Sequence, residues 1–78
     1  MSTSVRNAVA VDVRFDDTAL HVRLRDGREI SAPLAWFPRL ADADAEERGD
    51  WLLLGDGEGI HWPAVDEDIS IAGLLRAD

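Results

Sequence analysis

The chain has no cysteine and no lysine. Without cysteine there are no disulfide staples, no thiolate zinc sites and no cysteine nucleophile. A domain of 78 residues must then hold itself together by packing alone, helped at most by oligomerisation. Without lysine, all eight basic side chains are arginines. Long apolar runs are also missing. The longest uninterrupted ones are four residues, Trp51 to Leu54 among them, far short of a membrane span. The N-terminal MSTSVRNA lacks the apolar stretch of a secretory signal, which predicts a cytoplasmic protein. Serine and threonine are sparse, and no nucleophile–base–orienter set can be read among them.

What is present is a folded-protein composition with a lopsided charge. Hydrophobic residues make up 46% of the chain, too many for a disordered acidic tail. The length fits a single domain over residues 1–78 with one small core. Sixteen acids against eight arginines give a net charge of −8. Residues 42–68 hold ten of those acids and only Arg48, while the rest of the chain is close to neutral. Nearly all the net charge therefore sits in one 27-residue segment.

Periodicity supplies the elements. In residues 8–15 (AVAVDVRF), Val9, Val11, Val13 and Phe15 alternate with polar positions, the pattern of a half-buried strand. Residues 19–25 repeat it with Leu20, Val22 and Leu24 inward. Asp26-Gly27 predicts a two-residue hairpin turn, and residues 28–34 place Ile30, Ala32 and Leu34 on the core face. Pro33 and Pro38 bound an apolar corner containing Trp36 and Phe37. Asp44-Ala45-Glu46-Glu47 has the form of a capping box opening a short helix over about 45–49. Trp51 to Leu54 reads as a short buried strand, Gly55-Asp56-Gly57-Glu58-Gly59 as a turn, and Ile60-His61-Trp62 as a second short strand stopped by Pro63. Ser70 caps a final helix from Ile71 to Arg76. The expected fold class is α+β: a small antiparallel sheet, a three-strand meander plus two short strands, with two or three short helices.

Four candidate sites fall to plainer readings. His61, Asp66 and Asp68 suit divalent ions in type, but their spacing fits no ligand pattern and His61 faces outward on its strand. Gly55-x-Gly57-x-Gly59 lacks a following helix and a lysine, and Asp56 and Glu58 would repel phosphate. Trp36, Trp51, Trp62, Phe15 and Phe37 read as core filling rather than as base-stacking platforms, which need a basic groove. Arg14, Arg23, Arg25 and Arg28 share the solvent face of the meander with Asp12 and Glu29. No cofactor, metal or direct nucleic-acid contact is expected, and no enzyme.

The acidic segment remains. A rigid, one-signed patch steers toward a positive surface and fixes orientation there, and basic protein surfaces are mostly nucleic-acid sites. The expected carriers are Asp42, Asp44, Glu46, Glu47, Asp50, Asp56, Glu58 and Glu67, with Asp66 and Asp68 held for structural bonds near Ser70.

Several motifs together resemble a known family. They are Leu20-x-Val22-x-Leu24-x-Asp26-Gly27-Arg28, Pro33-Leu34-x-Trp36-Phe37-Pro38-Arg39-Leu40, Glu46-Glu47-Arg48, and Gly59-Ile60-His61-Trp62-Pro63 leading to Asp66-Glu67-Asp68-Ile69-Ser70. The chain resembles, over nearly its whole length, the small bacterial family catalogued as domain of unknown function 2442. It departs at Asp44-Ala45, where that family often has Thr-Pro. The resemblance implies an α+β domain with a small antiparallel sheet and no assigned catalytic residues. Members look like accessory modules, some beside toxin–antitoxin-like partners and some joined to a helix-turn-helix domain, which this chain is expected to lack.

By charge and size alone the chain is also similar to nucleic-acid-mimicking inhibitors such as anti-CRISPR proteins. The expectation is a non-enzymatic protein, monomer or homodimer, that occupies the basic surface of a nucleic-acid-binding partner such as a CRISPR effector or a toxin. The alternative is a scaffolding module that binds through a sheet edge or the Trp36–Phe37 corner.

Overall fold

Alternation in the first half of the chain produces three strands in a computed structural model that describes residues 9–77. They are β1 (Ala10–Phe15), β2 (Ala19–Leu24) and β3 (Glu29–Pro33), paired antiparallel in the order β1-β2-β3. Leu20, Val22 and Leu24 of the central strand are fully buried, and Ile30 and Ala32 join them from β3. Residues 1–8 and 78 lie outside the described part, as does the signal-free N-terminus read from the sequence.

Two details of this sheet differ from the sequence reading. In β1, Ala10 pairs with Leu24 and Asp12 with Arg23, so Val11 is an extra residue in a bulge. The bulge turns Val11 outward, 44% exposed, and buries Ala10 instead. A bulge bends its strand, and here the start of β1 leans onto the second half of the chain. The Ala10 amide donates to the Gly57 carbonyl at 2.7 Å. The β2–β3 connection is also longer than two residues. The Gly27 amide donates to Leu24 and the Leu24 amide to Arg28, with Gly27 at φ +97. That is a three-residue loop ending in a left-handed glycine.

The chain then turns through a 3-10 helix at Leu34–Trp36 into α1 (Pro38–Ala41), with Pro38 in its first turn, where the missing amide hydrogen costs nothing. Leu34 and Leu40 are buried, but Trp36 is 50% exposed. This corrects its assignment to the core: one position in three of a 3-10 turn faces inward, and Leu34 holds it. Trp62 is fully buried, while Phe15, Phe37 and Trp51 pack partly buried at the core's margin.

A second antiparallel sheet follows α2 (Ala45–Gly49). It comprises β4 (Leu52–Leu54), β5 (Gly59–Trp62) and β6 (Glu67–Ser70), in the order β4-β5-β6. The sequence suggested two strands here; the third, β6, was hidden because Glu67 and Asp68 read as loop. The leucine triplet of β4 is not buried. It is an edge strand, and Leu52, Leu53 and Leu54 are 46, 36 and 41% exposed. Ile60, Trp62 and Ile69 face inward and join the first sheet's residues in one core. Helix α3 (Ile71–Ala77) follows β6 directly. The Ser70 hydroxyl accepts from the Gly73 amide at 3.1 Å, and Ile71 and Leu74 are buried. The fold is thus α+β, two three-stranded sheets with three short helices. Among the described residues no helix is long and apolar enough to cross a membrane.

Candidate binding surface

Two short helices and a hairpin turn assemble an acidic corner. Asp44 caps α2: its carboxylate accepts from the Glu47 amide at 2.8 Å, and the Glu47 carboxylate accepts from the Asp44 amide at 3.0 Å. This is the reciprocal capping box read from the sequence. Asp42 ends α1, and Glu46 and Asp50 lie on and after α2. A shallow groove of about 410 Å³ is lined by Glu46, Glu47, Gly49, Asp50 and Ala64, so α2 faces the β5–β6 turn. Asp66 sits in that turn at φ +55, a left-handed conformation that aspartate tolerates better than most residues. Glu67 opens β6 beside it.

Internal bonds fix this corner, and among the described residues none of its carboxylates is ion-paired to an arginine. Arg39 donates to the Asp66 carbonyl at 2.6 Å, tying α1 to the turn. Arg48 donates to the carbonyls of Leu40 and Ala41 at 2.9 and 3.0 Å and stacks over the Phe15 ring. It therefore serves the C-terminal end of α1 rather than any acid. The buried Trp62 indole donates to the Arg48 carbonyl at 3.0 Å and meets Phe15 edge-on, pinning α2 to β5.

Of the eight expected carriers, Asp42, Asp44, Glu46, Glu47, Asp50 and Glu67 gather at the Trp62 end of the second sheet. Asp56 and Glu58 sit in the β4–β5 turn at the opposite end of β5, about 10 Å away by strand rise. Glu47 and Glu67 are half-buried; the other six are exposed. Asp66 and Asp68 do not bond amides near Ser70. Ser70 caps its own helix, Asp66 contributes its carbonyl, and Asp68 bonds His61 Nδ1 across the sheet.

The first sheet carries the compensated charge. Its ion pairs are Arg14–Glu29 at 3.3 Å, Arg23–Asp12 at 3.7 Å and Arg28–Asp26 at 2.8 Å. The Arg28 amide and guanidinium hold the Asp26 carboxyl below its usual range. Among the described residues, no ion pair joins an arginine to an acid of residues 42–68.

One constellation escaped the sequence reading. His21 accepts or donates at both ring nitrogens: Nδ1 meets the Ser31 hydroxyl at 2.6 Å, and Nε2 meets Asp16 Oδ2 at 2.7 Å. Asp16 also accepts from the Thr18 and Ala19 amides. Its carboxyl is held well below the ordinary carboxylate range, chiefly by His21 and then by those amides. The order Ser–His–Asp is that of acyl-transfer enzymes, which also need a cleft and oxyanion donors around the hydroxyl. Here a depression of about 120 Å³ at His21 is lined by Asp12, Arg14, His21, Arg23 and Glu29, and one of about 290 Å³ reaches Asp16; Ser31 lines neither. The three groups tie the β1–β2 turn to β3. Only the strand register, His21 opposite Ser31, could have revealed them. Among the described residues, no group of three or more His, Asp or Glu is placed to hold a metal ion.

Comparison with known proteins agrees with this architecture. A crystal structure of a protein of unknown function from Rhodospirillum rubrum ATCC 11170 superposes with a TM-score of 0.75 at 28% sequence identity. The match covers 90% of this chain and 87% of that one. No curated protein matches significantly. The profile of the family described as "Protein of unknown function (DUF2442)" matches residues 10–78, so the chain belongs to the DUF2442 family.

Proposed function

We propose that this is a non-catalytic binding protein that inhibits a protein partner by occupying its basic, nucleic-acid-binding surface, in the manner of a DNA mimic. Anti-CRISPR and antitoxin-like inhibitors are the two forms this would take in a cytoplasm. One observation carries the reading. Six carboxylates, those of Asp42, Asp44, Glu46, Glu47, Asp50 and Glu67, stand on a support fixed by Trp62, Arg39 and Arg48, and none of the ten over residues 42–68 is ion-paired to an arginine among the described residues. Fixed charges of one sign raise association rates and set orientation against a cationic surface, and both effects fade as salt screens them.

The test reverses charges outside the Asp44–Glu47 capping box: Asp42→Lys, Glu46→Lys and Asp50→Lys together. Each reversal removes an attraction and adds a repulsion, six changes of about 0.5 kcal/mol each. The total of about 3 kcal/mol weakens binding roughly a hundredfold. The protein is used to capture its partner from host cells, and the captured complex is challenged with short duplex DNA and with rising salt. Duplex and salt should both displace it. Equal affinity of the triple variant at moderate salt would falsify the reading.

The exposure of Trp36, stacked edge-on against Phe37 at 6.5 Å, favours a second reading, a scaffolding module docked through that corner. It predicts a salt-insensitive complex lost on Trp36→Ala with the melting curve unchanged.

A further inference from the structure

The outer face of the second sheet carries exposed leucines along its β4 edge, where a solvent face is expected to be polar. Register places Leu52 beside His61 and Asp68, and Leu54 beside Gly59 and Ser70. Gly59 has no side chain, and a Cβ there would lie 3.4 Å from Leu54 Cδ1. The Leu54 side chain therefore borders a groove of about 550 Å³ along Gly59 and the start of α3, with Glu58 and Asp68 among its lining residues. On its other side β4 has no neighbouring strand among the described residues. An unpaired edge with exposed leucines is a template for another strand.

Charge decides which strand fits. A second copy of this chain, paired antiparallel about Leu53, would bring Asp50, at the end of α2, toward the other copy's Asp56 in the β4–β5 turn, twice over. Like charges directly opposite destabilise a pair. The same two acids, with Glu58 and Asp68 on the groove, favour a cationic segment.

We propose that the free edge of β4 takes up an extended segment of the partner with arginine or lysine at both ends of a seven-residue stretch and two apolar side chains alternating between them. Side chains opposite one another on paired strands share a face. The two apolar side chains then cover Leu52 and Leu54, and the basic ends face Asp50 and Asp56. The inference rests on the reading of a cationic partner and adds to it the mode of docking: backbone pairing supplies affinity, and the alternation supplies selectivity.

The test uses the full chain and three dye-labelled, end-blocked peptides: RTVTVTR, its acidic counterpart ETVTVTE, and its polar counterpart RTSTSTR. Fluorescence anisotropy should show RTVTVTR bound at least tenfold more tightly than either control. Hydrogen exchange at residues 52–54 should slow in that complex. The double variant Leu52→Thr/Leu54→Thr keeps strand propensity at two exposed positions. It should melt like the parent yet lose at least tenfold in affinity.

Equal binding of RTVTVTR and RTSTSTR with no protection of β4 overturns strand addition and leaves cationic docking standing. Binding of ETVTVTE as tight as that of RTVTVTR overturns both. No binding of any peptide overturns strand addition alone, since capture and displacement judge the cationic partner separately. A concentration-dependent dimer that protects β4 without peptide assigns the edge to a second copy and overturns the proposal.

Discussion

Replacing Trp62 by phenylalanine isolates the contact that holds the acidic corner against the second sheet. The indole is fully buried, donates to the Arg48 carbonyl at 3.0 Å and meets Phe15 at a ring distance of 6.2 Å. Phenylalanine keeps most of the packing and removes the donor. An orphaned buried carbonyl costs about 1–3 kcal/mol, and the lower end applies because this site is only part-buried. The lost ring area, about 40 Å² at 25 cal/mol/Å², adds about 1 kcal/mol. The sum of about 2–3 kcal/mol is large beside the roughly 4–12 kcal/mol expected for a domain of this length. It corresponds to a fall in Tm of about 10–20 °C. Urea unfolding followed by far-UV circular dichroism is the suitable assay, because the substitution removes a fluorophore. Trp51→Phe, at a half-buried position, is the control and should cost less. Hydrogen exchange should also quicken in α2. If Trp62→Phe costs under 1 kcal/mol, or no more than Trp51→Phe, the indole is not the pin and the rigidity of the corner needs another source.

Two further substitutions probe how the halves are joined and how the first sheet responds to acid. Gly57→Ala should destabilise by about 2 kcal/mol or more. Its φ of +104 is costly for a side chain, and a Cβ there would stand 2.5 Å from the Ala10 carbonyl; urea unfolding reads the loss. Asp16→Asn tests the His21 chain through pH. The Asp16 carboxyl lies below its ordinary 3.8 in the folded protein, so its stabilisation is present above about pH 4 and is lost as pH falls through the lowered folded value. Melting curves of parent and variant should differ at pH 7 and converge in acid. A constant gap across that range would refute the assignment.

Much of the fold was legible where one residue carries its own signal. Asp44 and Glu47 at the spacing of a capping box, Ser70 before an apolar run, and the alternation of Leu20, Val22 and Leu24 all specify local geometry that the structure contains. What escaped depends on pairing. The bulge at Val11 leaves no mark, because Ala10 and Val11 are both apolar and hydrophobicity does not tell which of the two faces inward. β6 is a strand because β5 lies beside it, not because Glu67-Asp68-Ile69-Ser70 prefers one. The leucines of β4 read as buried because hydrophobicity gives no warning that a strand is at an edge. The candidate surface divides the same way. Its excess charge can be counted from the sequence. The gathering of six acids at one end of β5 cannot, since it depends on α1 and α2 being placed against the β5–β6 turn.

The partition of ion pairs gives the surface its physical meaning. In the first sheet, Arg14 and Arg23 face Glu29 and Asp12 across strands, leaving a nearly neutral skin. In the second, carboxylates stand without arginine partners among the described residues. Two charges 10 Å apart repel by about 0.4 kcal/mol in water before screening, and salt at physiological strength removes most of that. Added salt should therefore stabilise the free protein by relaxing this repulsion. The same salt should weaken its complex with a cationic partner. The two effects have opposite signs, so dissociation by salt cannot be mistaken for unfolding. A domain that tolerates uncompensated repulsion over one half, while neutralising the other half pair by pair, has the charge distribution expected if a partner supplies the missing cations.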